Sequence, residues 1–272
     1  MGWQTIARKD IRGVVRTRRR KFGFALVAFT FVLGGYLLPL SVQQPSTSDL
    51  PGYMLEAVTL LVPLLGLLLG YKTIVAERAS GQIALLLSLP HSRRGAVFGK
   101  FAGRLLVLAG VVGVGIVLAS ALVAYPFGSL EIGVLLAYLF VTLAFGTAFL
   151  SIGMAISTLT RSSRRATGGT FGVFFLFVIL WQDLRAGLFF LLEYLGLASD
   201  GLPNWALFVH GLEPGMLYRR IVDGFFSGVE SGPYLGPDAP LYLGEWVALV
   251  ALLLWVVGPI SFGYLRFERV DI

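Results

Sequence analysis

The chain has 272 residues, of which 56% are hydrophobic and only 14% charged. A soluble domain would carry roughly a quarter charged residues; with a mean hydropathy of +0.81, the composition is that of an integral membrane protein. The net charge is +7 and there is no cysteine, which excludes disulfides, thiol catalysis and cysteine metal sites. His91 and His210, the two histidines, are far apart in sequence and fall on opposite sides of the membrane in the topology below, so they make no joint metal site.

Residues 1–21 hold eight Lys/Arg, including Arg18, Arg19, Arg20 and Lys21 as one run against the first apolar stretch. No aromatic residues interleave with them, so the cluster reads as a membrane anchor and not as a nucleic-acid patch. Trp3, Ile6, Ala7, Ile11, Val14 and Val15 recur at helical spacing, with Arg8, Lys9, Arg12 and Arg16 on the other faces. That pattern predicts an amphipathic helix lying in the membrane surface.

A crossing helix needs about 20 mainly apolar residues. Six candidates follow: Phe22 to Leu40, Leu55 to Val75, Leu105 to Tyr125, Ile132 to about Thr158, Ala166 to at least Trp181, and Trp246 to Leu265. The start of the first resembles a twin-arginine signal peptide, but five more spans follow and no small-residue cleavage pattern ends it, so it is expected to stay uncleaved. With a cytoplasmic N-terminus, 19 of 22 Lys/Arg lie inside, all but Arg185, Arg219 and Arg220. Of the 15 acidic residues only Asp10, Glu77, Glu268 and Asp271 do. Both termini are therefore expected in the cytoplasm of a plasma-membrane protein. No linker or repeat divides residues 1–272, so they read as one membrane domain.

Between the second and third spans, residues 76–104 carry charge, a short apolar core and a helix stop. Val75 to Leu89 can form a helix leaving the membrane, ended by Pro90 and the polar stretch His91 to Arg94. Ile83 to Leu89 are too few to cross and must lie on the surface or against protein. A second helix starts near Gly95, with Lys100 and Arg104 snorkelling at the start of the third span. Gly95, Gly99 and Gly103 share one helical face, and Gly168 and Gly172 repeat the spacing. Small residues so placed let helices approach closely, within the subunit or between two.

Beyond the fifth span, Asp183 and Arg185 interrupt the apolar pattern. The piece after them, Ala186 to Ala198, is too short to cross alone. Residues 183–245 are expected to form a re-entrant or interfacial hairpin and an outer loop, with a short helix over Pro214 to Phe226. Ionisable residues at mid-membrane depth are almost wholly missing, and no catalytic motif appears. The run from Gly95 to Phe101 fails as a phosphate-binding loop in its glycine spacing and in having Phe101 where Ser or Thr is required.

Glu77-Arg78-x-x-Gly81, then Leu86-Leu87, Pro90, Ser92-Arg93 and Gly99-Lys100-x-x-Gly103-Arg104 resemble the signature of ABC-2 type permease subunits of ABC exporters, most of all the NosY-like branch. The basic helix over Thr5 to Arg20 and the link over Ser157 to Gly168 are similar to the family's as well, so the resemblance covers nearly the whole chain. It implies an all-α fold of six transmembrane helices, with an N-terminal interfacial helix, a cytoplasmic coupling helix between spans two and three, and an outer hairpin between spans five and six. It also implies a homodimer or heterodimer with a second permease subunit. ATP and magnesium would be bound by a separate ATPase, leaving this chain non-catalytic and without a cofactor. Glu77 and Arg78 would contact that ATPase, Gly81 would allow close approach, and Ile83, Leu86 and Leu87 would fill its groove, with Pro90, Ser92 and Arg93 closing the segment. Substrate-binding residues are not implied. A membrane scaffold without transport and an intramembrane enzyme are the competing readings.

Overall fold

The computed structural model describes residues 3–79, 93–127, 130–198 and 201–268. Six helices among them are long and apolar enough to cross a membrane. A basic helix, α1 (Trp3–Arg16), precedes the first span, α2 (Arg18–Ser41). The second span is α3 (Leu55–Gly70), followed by a turn and the short α4 (Val75–Ala79). The third span lies in α5 (Arg93–Phe127) and the fourth is α6 (Ile132–Leu159). The fifth runs through α7 (Ser163–Phe174), a π-helical stretch Phe175–Leu180 and α8 (Trp181–Tyr194). Two shorter helices, α9 (Asn204–His210) and α10 (Pro214–Phe225), lead to the sixth span in α11 (Glu245–Glu268). Because the spans alternate, α1, α4 and the link between α6 and α7 gather at one end, called here the basic end. The described connections 42–54, 195–198 and 201–244 lie at the other.

The fourth span is the axis of the bundle. Its residues from Ala144 to Ala155 are all buried, flanked by the second and sixth spans. Contact between α3 and α6 is at backbone distance. A Cβ on Gly70 would lie 2.6 Å from the Leu150 carbonyl oxygen and 2.7 Å from the Met154 nitrogen, and Gly66 sits likewise on the Gly146 carbonyl. These two glycines, four apart, give the packing face that the sequence reading assigned to others. Gly103 does pack closely, its Cβ position 3.0 Å from the Ala7 carbonyl of α1, and Gly99 is buried. Gly168 and Gly172, by contrast, face open space.

The expected break at Asp183 and Arg185 is not there. The fifth helix is continuous from Ser163 to Tyr194, and both charged residues are exposed on its surface. A charge at a helix surface removes no backbone hydrogen bond, so it ends nothing. The helix stops where Gly196 takes a φ of +70° and its N–H bonds to the Glu193 carbonyl at 2.9 Å, a left-handed glycine end. At about 1.5 Å per residue the 32-residue helix is longer than a bilayer core is thick. The chain turns back later than expected, through α9 and α10. Helix α10 wedges between the spans: Tyr218 stacks on Phe145 at 4.4 Å and its hydroxyl bonds to Thr142 at 3.0 Å.

This returning segment is pinned to the spans by buried polar groups. His210 stacks on Trp181, and its Nε2 lies 3.1 Å from the Trp181 carbonyl oxygen. Burial pulls the His210 imidazole below its usual value. Arg220, buried, donates to the carbonyl oxygens of Gly211, Leu243 and Gly244. The Trp255 indole donates to the Leu212 carbonyl at 2.8 Å.

Candidate functional site: a joint at the end of the second span

Helix α3 ends at Gly70, and residues 71–74 are turns before α4 begins. A helix opened here strands backbone groups that lipid cannot satisfy, so protein must. Thr73 does part of this locally: its N–H reaches the Gly70 carbonyl at 3.1 Å, and its hydroxyl lies 2.7 Å from the same oxygen and 3.1 Å from that of Leu69. The remainder comes from two neighbouring spans. From the fourth, the Ser157 hydroxyl oxygen accepts from the N–H groups of Ile74 and Val75 at 2.9 and 3.0 Å. From the third, Arg104 Nη1 donates to the Leu69 carbonyl at 2.8 Å, and Lys100 Nζ to the Thr73 carbonyl at 3.0 Å.

Each of the two cations also holds a carboxylate. Lys100 pairs with Glu77 on α4. Arg104 grips Asp10 on α1 through Nε and Nη2. Lys100 and Arg104 are one helical turn apart, so both point from one face of α5. The joint is thus tied to α1, to α4 and to the third span at once. Lys100 is 3% and Arg104 6% exposed, so neither snorkels to the surface as the sequence reading expected. Their heads turn inward because the opened helix offers carbonyls and because Asp10 and Glu77 supply compensating charge.

Helix α1 docks on the third-span helix α5 through its apolar side. Ile6, Ala7 and Val14 are buried against the bundle, while Arg8, Lys9, Arg12 and Arg16 stay exposed. The close seat of Ala7 on Gly103 brings Asp10, one turn on, to Arg104.

Of the residues expected to couple to an ATPase, Glu77 and Arg78 lie on α4. The Glu77 side chain is 28% exposed and faces Lys100. Arg78 reaches the Thr160 carbonyl of the link before the fifth span at 3.4 Å. Gly81, Ile83, Leu86, Leu87, Pro90 and Ser92 lie outside the described residues. Arg93 opens helix α5, which carries Gly95, Gly99 and Gly103. Asp10, Thr73 and Ser157 are the site residues that the sequence reading passed over. A lone acid in a basic helix was the available signal for Asp10.

Six spans, a docked basic helix and a joint at the end of the second span make one consistent architecture. A family model described as ABC-2 family transporter protein matches residues 4–272. The chain belongs to the ABC-2 transporter family. Among curated relatives it is 30% identical over 274 residues to a protein of Pseudomonas aeruginosa named "Probable ABC transporter permease protein NosY". It is 30% identical over 272 residues to a protein of the same name from Stutzerimonas stutzeri. Each alignment covers 97% of both chains. As an ABC-2 protein with six apolar helices, it is a multi-pass membrane permease subunit, a part of the transporter that is not itself catalytic. An ABC ATPase partner follows from that family.

Proposed function

We propose that this subunit forms the translocation path of an ATP-driven exporter in the plasma membrane, working as a dimer of permease subunits, with both termini and the basic end in the cytoplasm. ATP and magnesium bind to a separate ATPase, and residues 80–92 dock on it. The observation that carries this reading is the joint. The segment that would meet the ATPase leaves directly from α4, whose Glu77 is ion-paired to the third span beside an opening in the second. Motion delivered to residues 80–92 therefore reaches two spans through Glu77–Lys100 and the 71–74 turn, and reaches α1 through Arg104–Asp10. Dimerisation is supported by the fifth span. Its side chains are nearly all exposed or half-buried, and a Cβ placed on Gly168 or Gly172 would meet nothing within 4 Å.

The test is co-expression with the cognate ATPase. Leu86→Ala removes an apolar anchor, worth about 2 kcal/mol or more and so roughly a 30-fold loss of affinity; Gly81→Leu adds bulk at the approach. Together they should abolish ATPase pull-down while the subunit stays membrane-inserted. Glu77→Ala should keep docking but uncouple hydrolysis from transport substrate. Retention of pull-down and of stimulated turnover in the Gly81→Leu/Leu86→Ala protein would remove residues 80–92 from the coupling role.

A further inference from the structure

A cavity of about 440 Å³ opens at the end away from the joint, between the second span, the π-helical stretch of the fifth and helix α10. Its apolar lining includes Leu60 of the second span, the half-buried ring of Phe177 in the π segment and Met216 of α10, backed by the buried Phe145 and Phe149 of the fourth span. Its mouth is charged: Glu56, Asp183, Glu213 and Arg219.

Arg219, the one cation among these, is already occupied. Its Nη1 and Nη2 hold both oxygens of Glu56, the second at 2.6 Å. Nη2 also lies 3.2 Å from the Thr59 hydroxyl, and with its amide oxygen and nitrogen exchanged Gln182 would accept from Nε at 3.0 Å. An anion would have to displace Glu56 to reach it. The carboxylates are less committed. Glu213, 5% exposed, caps α10 by accepting from the N–H groups of Gly215 and Met216 at 2.7 and 2.8 Å. Among the described residues, Asp183 makes no hydrogen bond or ion pair. Even with Glu213 protonated, Glu56 and Asp183 against one saturated guanidinium leave the mouth negative beside an apolar lining, a pairing that suits an amphiphilic cation. No group of three or more acidic or histidine side chains among the described residues converges as metal ligands do.

We propose that this cavity binds a lipophilic organic cation, an ammonium or other onium group on an apolar body. The positive centre sits beside Asp183 and Glu56, and the body lies on Leu60, Phe177 and Met216. Residues of the second and fifth spans and of α10 then close on a single ligand, so occupancy ties the returning segment to the bundle. The binding claim stands without the permease reading; only the assignment of the cation as cargo rests on it.

The experiment uses the purified full chain in neutral maltoside micelles without any ATPase, so failure here leaves ATPase docking untouched. Equilibrium dialysis compares tetraphenylphosphonium with tetraphenylborate, ions of like shape and opposite charge, after subtracting protein-free micelles. Expected is saturable tetraphenylphosphonium binding at one site per chain, with no saturable tetraphenylborate binding. Asp183→Asn should weaken binding about tenfold, and Asp183→Lys should abolish it. Asp183 is exposed and makes no hydrogen bond or ion pair among the described residues, so both variants should keep the fold, which circular dichroism checks. Phosphatidylethanolamine added to the micelles separates two sources of the same chemistry: competition assigns the site to a lipid amine, and its absence to a soluble cation. Equal binding of the two ions, no saturable binding, or an unchanged Asp183→Lys protein overturns the proposal.

Discussion

Replacing Arg104 by Met tests whether the joint is held by charge and not merely filled by bulk. Methionine keeps the apolar stem but deletes the bonds to Asp10 and the donor to the Leu69 carbonyl. The Asp10 side chain is 11% exposed, so its carboxylate is stranded out of water. Removing one partner of a buried pair costs about 3–5 kcal/mol, because the other charge is left uncompensated. Asp10→Leu strands Arg104 in the same way and should cost about as much. The double variant strands neither, so it should be markedly more stable than the sum of the singles implies, with a coupling of about 2 kcal/mol or more. The assay is unfolding of the purified protein in mixed micelles by titration with sodium dodecyl sulfate, followed by tryptophan fluorescence. Additivity of the two changes to within about 0.5 kcal/mol would refute the clasp.

Three further outcomes follow. Gly70→Ala should cost about 1–3 kcal/mol in the same assay, since its Cβ would meet backbone atoms of α6 that cannot give way; an unchanged midpoint would contradict the packing. Burial raises the Glu213 carboxyl from 4.5 to about 7. The folded state therefore prefers the protonated form, and stability falls as pH rises from 4.5 to about 7, by about 3 kcal/mol; Glu213→Gln should remove that fall, and an identical pH profile would count against it. For topology, single cysteines in place of Gln43 and Ser231 should react with an impermeant thiol reagent in intact cells, while cysteines in place of Arg8 and Arg161 should not. Labelling at position 161 would invert the orientation.

The spans were legible because about 20 apolar residues in a row have few other uses, and the basic residues sort cleanly to one end. The joint was only half legible. Lys100 and Arg104 stood out, yet at the end of a span a long cation ordinarily reaches outward. Only the opening of the helix after Gly70 gives it carbonyls to turn toward, and no proline marks that opening. Gly66 and Gly70 carried the same four-residue spacing as the glycines singled out. They lie in a segment apolar on every side, where sequence shows no face. At Asp183 and Arg185 polarity was mistaken for a boundary; the boundary belongs to Gly196, where backbone conformation and not side-chain charge ends the helix.

The central claim is that residues 80–92 carry force between an ATPase and the spans. A photocrosslinking amino acid in place of Leu86, in membranes containing the cognate ATPase, tests it most directly, with the same probe in place of Ser231 as the comparison. The account predicts a crosslinked product joining this chain to the ATPase from position 86 and none from position 231. No product from position 86, in membranes where transport-stimulated ATP hydrolysis persists, would contradict it.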